Sequence, residues 1–204
     1  MIGVVDYGLG NVQAIINVYR SLDIPVNRAT GPTDFAETDR IVLPGVGAFD
    51  EAMNRLNHSG MRHALDEMVL DREIPVLGIC VGMQMFARTS EEGVAEGLGW
   101  IDAEVRRLDV RGLARKPHLP HMGWNSVEVR KDSSLFVGFD AEAEFYFLHS
   151  YGLVPTHQSA ILTETHYGRS FVSSVQSGNI YGVQFHPEKS HNWGTDLLRN
   201  FATA

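Results

Sequence analysis

The sequence predicts an α/β fold, with a mostly parallel central sheet and an antiparallel extension. Three observations carry this. Short apolar runs alternate with helix-period segments through the first half of the chain. The second half holds strand-like runs separated only by turn residues. The 204 residues are 44% apolar and 21% charged, the composition of an ordinary globular chain.

Each element has a local reason. Ile2-Gly3-Val4-Val5 is a compact apolar run ending at Asp6, and Val12, Ile15, Ile16 and Tyr19 then recur at helical spacing. Ile41-Val42-Leu43 reads as a second buried strand, stopped by Pro44. Met61, Ala64, Leu65, Met68 and Val69 mark a further amphipathic helix. Residues 75–79 (PVLGI) form a third strand, with a helix expected over 82–88. Later strands are expected at 127–129, 144–148, 160–162, 171–175 and 180–185, with Ser177-Gly178-Asn179 as one turn. A last helix is expected from about Asn192, with Trp193, Leu197, Leu198 and Phe201 on one face and Ser190 as N-cap. No linker, repeat or low-complexity tract interrupts the chain, so residues 1–204 read as a single domain.

Charge and composition exclude several classes. The net charge of −8, from 17 basic and 25 acidic residues, speaks against general nucleic-acid binding. A single cysteine permits no internal disulfide. The N-terminus lacks the basic start and apolar run of a signal peptide, and no stretch reaches the roughly 18 apolar residues of a membrane span. These features read as cytoplasmic. The segment 106–116 carries five basic residues and one acid. It reads either as a solvated loop or as a docking patch for an acidic partner or phosphorylated substrate.

The most informative segment is PVLGICVGMQM (75–85). It sets Gly78, Cys80 and Gly82 in a Gly-x-Cys-x-Gly pattern where a strand ends and a helix begins. This is the thiol version of the nucleophile elbow. A sharp turn holds the nucleophile in a strained conformation, and the glycines remove side chains that would collide with neighbouring backbone. The N–H groups that follow, beginning with Val81, point at the same spot and can stabilise an oxyanion. By itself a lone cysteine at a strand end is equally a small buried hydrophobe.

A thiol with an ordinary pKa of about 8.5 needs a basic partner. Of nine histidines, His186 ends a strand-like run and precedes Pro187, which pushes it to an extended backbone. In an extended chain residues 186 and 188 share a side, so Glu188 is placed to orient the imidazole as the third member of a triad. The Pro44-Gly45-Val46-Gly47 loop follows another strand and offers backbone N–H groups of Val46 and Gly47 as further oxyanion donors. A zinc site lacks its usual spacing, since there is no His-Glu-x-x-His and no Cys-x-x-Cys. Gly8-Leu9-Gly10 lacks the third glycine of a dinucleotide fingerprint. No metal or cofactor is expected.

LPGVGAF (43–49), PVLGICVGMQM (75–85) and GVQFHPEKS (182–190), in this order, resemble the class I, triad-type glutamine amidotransferases. SEEG (90–93), GLGWI (97–101), LPHMGWN (119–125) and FYFLHSY (145–151) narrow the resemblance to the glutaminase subunits of imidazole glycerol phosphate synthase. The resemblance implies a three-layer, flavodoxin-like fold. It implies hydrolysis of L-glutamine, with Cys80 as nucleophile, His186 as base and acid, and Glu188 as orienter. Gly47, Gln84 and the backbone of His149, Ser150 and Tyr151 would hold the substrate. It implies ammonia transfer to a cyclase partner, HisF, a (β/α)8 barrel, through a surface containing Asn11, Trp124, Tyr146 and Lys189. The same chemistry on a different synthase, or an α/β binding module with a dead site, are the competing readings.

Overall fold

The computed structural model describes residues 1–204 except 112 and 114–117. Along the chain, β1 (Ile2–Val5) leads to α1 (Val12–Ser21) and β2 (Val26–Ala29). β3 (Arg40–Gly45) leads through α2 (Phe49–His58) and α3 (Arg62–Asp66) to β4 (Val76–Cys80), and α4 (Val81–Gln84) follows at once. Then come β5 (Thr89–Ser90), β6 (Ala103–Arg107), β7 (His121–Ser126), β8 (Glu128–Val129), β9 (Glu144–His149) and β10 (Tyr151–Pro155). β11 (Ile161–Tyr167), β12 (Arg169–Ser177) and β13 (Ile180–Val183) precede the last helix, α5 (His191–Phe201).

The main sheet has eight strands in the order β2-β1-β3-β4-β13-β12-β11-β8. The first five are parallel, and β12, β11 and β8 extend them antiparallel. β1, β4 and β13 are buried along their whole length, as strands covered on both faces must be. The order reverses at β1: the chain moves one way to β2 and the other way to β3 and β4. With right-handed crossovers that reversal puts α1 on one face and α2 and α3 on the other. The result is a three-layer flavodoxin-like arrangement. Two small sheets, β10-β6-β5 and the ribbon β7-β9, lie outside it. Among the described residues no helix is long and apolar enough to cross a membrane.

Several boundaries differ from the sequence expectation. Pro44 does not stop its strand; β3 runs on to Gly45. Ile41 N donates to Pro75 O on the β4 side, so even-numbered residues of β3 face β1. β1 pairs β3 only as far as Val42, so the N–H that Pro44 lacks has no strand to meet. The helix expected over 82–88 is only α4. The carbonyls that would continue it go to the segment after β5: Leu98 N donates to Met85 O at 2.7 Å and Gly99 N to Ala87 O at 3.1 Å. The helix around Met61–Val69 ends as α3 and continues as a π-helical turn over Glu67–Asp71.

Residues 158–160 form a 3-10 turn, and the strand starts at Ile161. The strand expected at 127–129 is shorter, Glu128–Val129, and that expected at 180–185 ends at Val183. β2, β5, β6, β7, β10 and α2 have no counterpart in the sequence reading. Ser190 sits at the N-cap of α5 without capping it; its hydroxyl donates to His186 O. In the basic segment, Arg106 and Arg107 belong to β6 rather than to a loop; Arg106 pairs with Glu104 and Arg111 with Asp109, all exposed. Arg115 and Lys116 lie outside the described residues.

The elbow glycine sets a stability test. A Cβ at Gly82 would lie 1.9 Å from Leu43 O, whereas Gly60, at φ 74°, has open space around it. Gly82→Ala is expected to cost roughly 3 kcal/mol or more in urea unfolding, and Gly60→Ala about 1 kcal/mol from backbone strain alone.

Candidate active site

The β4–α4 junction has no intervening loop, so Cys80 turns the corner by itself. Its backbone sits at φ 55°, ψ −112°, a conformation few side-chain-bearing residues adopt. Glycines make the turn possible. A Cβ on Gly78 would lie 2.7 Å from Met83 N, one on Gly45 would lie 2.5 Å from Gly82 N, and one on Gly182 would lie 2.4 Å from Met83 Cγ. Gly45 is the register partner of Cys80 across β3–β4, so the 45–47 loop lies beside Val81. Gly47 has φ 85°. Tyr7 pins the root of that loop, its hydroxyl donating to Pro44 O at 2.8 Å.

His186 is fixed through its backbone. Its N–H donates to Tyr146 O at 2.8 Å, and its carbonyl accepts from Ser190 Oγ at 2.6 Å. The expected extended backbone holds only at His186 itself (φ −105°, ψ 93°); Pro187–Lys189 is a 3-10 turn. The turn, not strand alternation, brings Glu188 back to the imidazole. His186 Nδ1 lies 2.9 Å from Glu188 Oε1, and Asn11 Nδ2 donates to the same oxygen at 2.6 Å. A Cβ on Gly194 would lie 1.8 Å from Pro187 O, so α5 lies hard against this turn.

The electrostatics follow from burial and partners. Burial pushes the His186 imidazole toward its neutral form, but hydrogen bonds to Cys80 and Glu188 outweigh it and raise its pKa to about 10. Burial raises the Glu188 carboxyl, and the His186 bond and charge, aided by Asn11, bring it below the usual range. The imidazolium is therefore held between sulfur and carboxylate.

A cavity of about 480 Å³ opens over this group. Two other clefts match its volume, so chemistry rather than size marks it out. Cys80, His186, Val46, Gly47 and Val81 line it, as do Gln84, His149, Ser150 and Tyr151. Glu188 lies behind His186. The four residues placed at the mouth divide. Asn11 and Lys189 line the cavity, and Asn11 also serves Glu188. Trp124, 44% exposed, stacks on His191 at 4.9 Å outside it, and Lys189 Nζ stands 5.7 Å from the Tyr146 ring.

The structure adds residues that sequence reasoning left unassigned. Glu92 also lines the cavity, and its Oε2 accepts from Phe49 N at the start of α2, just past the 45–47 loop. Gln184 Nε2 lies 3.7 Å from Cys80 Sγ. Gln184 had a legible signal: it precedes His186 by two residues. It also falls one step past the Val183–Ile79 register pair, opposite Cys80.

The chain is similar to known proteins over its whole length. The family described as glutamine amidotransferase class-I matches residues 3–204. The imidazole glycerol phosphate synthase subunit HisH of Bdellovibrio bacteriovorus is 50% identical over 206 residues, covering 99% of each chain. HisH of Leptospira interrogans is 41% identical over 203 residues, covering all of both. A solved glutamine amidotransferase structure superposes with a TM-score of 0.74 at 18% identity, over 100% of this chain and 99% of that one, a likeness of fold alone.

A folded-state value near 10 against 6.5 for a free imidazole means that the contacts of His186 stabilise the fold fully below about pH 6.5. That stabilisation is lost as the pH rises through 10. Imidazole NMR is expected to show His186 still protonated at pH 8, and Glu188→Gln is expected to lower its midpoint by about one unit or more. A midpoint near 6.5 in both proteins would contradict the geometry.

Proposed function

The chain belongs to the class I glutamine amidotransferases, in the family of imidazole glycerol phosphate synthase HisH subunits, and from that premise we propose the site at which it works. It is a glutaminase that hydrolyses L-glutamine to L-glutamate and ammonia within that synthase. In this reading residues 1–204 act as one domain, and Cys80, His186 and Glu188 are the catalytic triad. The carrying observation is the imidazole of His186, 2.9 Å from a Glu188 carboxylate that Asn11 holds in turn, and hydrogen-bonded to the Cys80 sulfur.

The reaction runs through a thioester. The sulfur, having passed its proton to His186, attacks the carboxamide carbon. N–H groups of Val81, Val46 and Gly47 receive the oxyanion, and each such donor is worth roughly two to three decades of rate. His186 then protonates the departing nitrogen, and ammonia leaves. The now neutral imidazole takes a proton from water, which attacks the thioester. Collapse of the second tetrahedral intermediate returns the proton to sulfur and frees glutamate. Gly47, Gln84 and the backbone of His149, Ser150 and Tyr151 hold the substrate in the cavity.

Ammonia passes to the cyclase partner, the (β/α)8 barrel HisF, which forms imidazole glycerol phosphate and aminoimidazole carboxamide ribotide in histidine biosynthesis. The outer face of the β7–β9 ribbon supports this docking. Met122, Trp124 and Leu148 are exposed there, beside Tyr146 and Lys189 at the mouth of the cavity. The single cysteine fits a reducing cytoplasm.

Glutamine hydrolysis assayed with and without the cyclase and its ligand tests the reading. Cys80→Ser is expected to lower turnover at least about a thousandfold, and the cyclase is expected to raise wild-type turnover. Undiminished hydrolysis by Cys80→Ser would sink the assignment. Failure to restore growth of a histidine auxotroph would sink the pathway.

A further inference from the structure

Inside the cavity wall the Tyr151 carbonyl accepts two hydrogen bonds, from His149 Nδ1 at 2.8 Å and from Gln84 Nε2 at 2.9 Å. A carbonyl only accepts, so this one oxygen sets the direction of every bond that continues from it. On one side, His149 must carry its proton on Nδ1, which leaves a lone pair on Nε2. His121 Nδ1, 3.2 Å away, then has to donate, and His121 Nε2 accepts from Asn125 Nδ2 at 3.3 Å. On the other side, the Gln84 amide nitrogen spends its second hydrogen on Gln184, 3.0 Å away, so Gln184 must present its oxygen. Its amide nitrogen is thereby turned to Cys80 Sγ at 3.7 Å.

Most of this chain is buried: Gln184 is fully enclosed and Gln84, His121 and His149 nearly so, with Tyr151 and the terminal Asn125 half-buried. Burial lowers the pKa of His149 to about 3, with the Tyr151 bond opposing it and the charges of His121 and His186 adding to it. Burial alone lowers His121 to about 4. Both rings are therefore neutral wherever the triad works, as the pattern demands, because a second proton on His149 would face the His121 N–H. Gln184 does not line the cavity, so it reaches no substrate.

We propose that Gln184 is a positioning residue for the nucleophile: its amide N–H holds the Cys80 sulfur from inside the fold, in an orientation dictated through Gln84 by the Tyr151 carbonyl. This rests on reading Cys80 as the nucleophile. The N–H gives the sulfur a donor that persists after its proton has moved to His186, and fixes the direction from which it attacks.

The chain has one cysteine, so alkylation by iodoacetamide, followed by intact mass, reports on Cys80 alone. Gln184→Leu, which keeps the volume and removes the donor, is expected to slow alkylation about tenfold. Gln184→Glu separates donation from packing. Protonated, its O–H meets the sulfur and its other oxygen serves Gln84; ionised, it offers the sulfur only a lone pair. Burial favours the protonated form, so its rate relative to wild type is expected to rise about tenfold as the pH falls from about 8 to about 6. The titratable groups along the network are Cys80, His149 and His121, and the histidines stay neutral over that range.

A flat ratio for Gln184→Glu, or Gln184→Leu within about twofold of wild type, overturns the proposal. If Gln184→Glu does not melt cooperatively, Gln184→Met takes its place, and alkylation of that variant at the wild-type rate is the overturning result. Glutamine hydrolysis by Cys80→Ser runs alongside. Hydrolysis retained there overturns the nucleophile reading itself. Hydrolysis lost there, with Gln184→Leu alkylating at the wild-type rate, overturns only the role of Gln184.

Discussion

Cys80 holds its positive φ because four backbone segments leave it no alternative. The strain of such a residue is of order 1–3 kcal/mol and persists only where the surroundings over-determine it. Here Gly78 and Gly82 let β4 turn straight into α4, Gly45 lets the neighbouring loop lie against the turn, and Gly182 lets β13 pass Met83. Gly45, Gly78 and Gly182 belong to three neighbouring strands of the parallel sheet, β3, β4 and β13, and Gly82 opens α4. The sulfur therefore stands at the carboxyl ends of β3, β4 and β13, the place where open α/β sheets gather their chemistry. The rest of the site is arranged around that fixed point.

His186 reaches it by a second, independent device. β13 ends at Val183, and the chain carries His186 into a 3-10 turn clamped by α5 and by the β7–β9 ribbon. Both meet the His186 backbone, the ribbon through the Tyr146 carbonyl and the start of α5 through the Ser190 hydroxyl, which also accepts from Tyr146 N. The ribbon has two faces by strand alternation. Met122, Trp124 and Leu148 look outward, while His121, Phe147 and His149 look in. A partner seated on the outer face would thus press on the element that carries the wall of the cavity. The hydrogen-bond chain from His121 to Cys80 starts on that same ribbon.

The sequence made the parallel core, the antiparallel extension and the motif-bearing loops legible, because glycine spacing and apolar runs are local signals. Cys80, Val81, Gly47 and His186 converge as their strand-end positions implied. Glu188 arrives by a turn rather than by alternation, since Pro187 starts a 3-10 turn once β13 has ended. What could not be read was non-local. β5, β6 and β10 are stabilised by one another. α4 stops early because residues 97–99 take its carbonyls. Asn11, expected at the partner surface, donates to Glu188, 177 positions away in sequence. Gln184 could have been found by counting register, a calculation that needs the β4–β13 pairing in hand.

The central claim is that the elbow, the imidazolium and the cavity together make one glutamine-processing nucleophile of Cys80. Labelling with a glutamine-shaped diazoketone, read by intact mass and peptide mapping, tests it most directly. The account predicts one adduct per chain, on Cys80, suppressed by excess glutamine and absent from Cys80→Ser. An adduct on another residue, or labelling of Cys80 that glutamine does not protect, would contradict it.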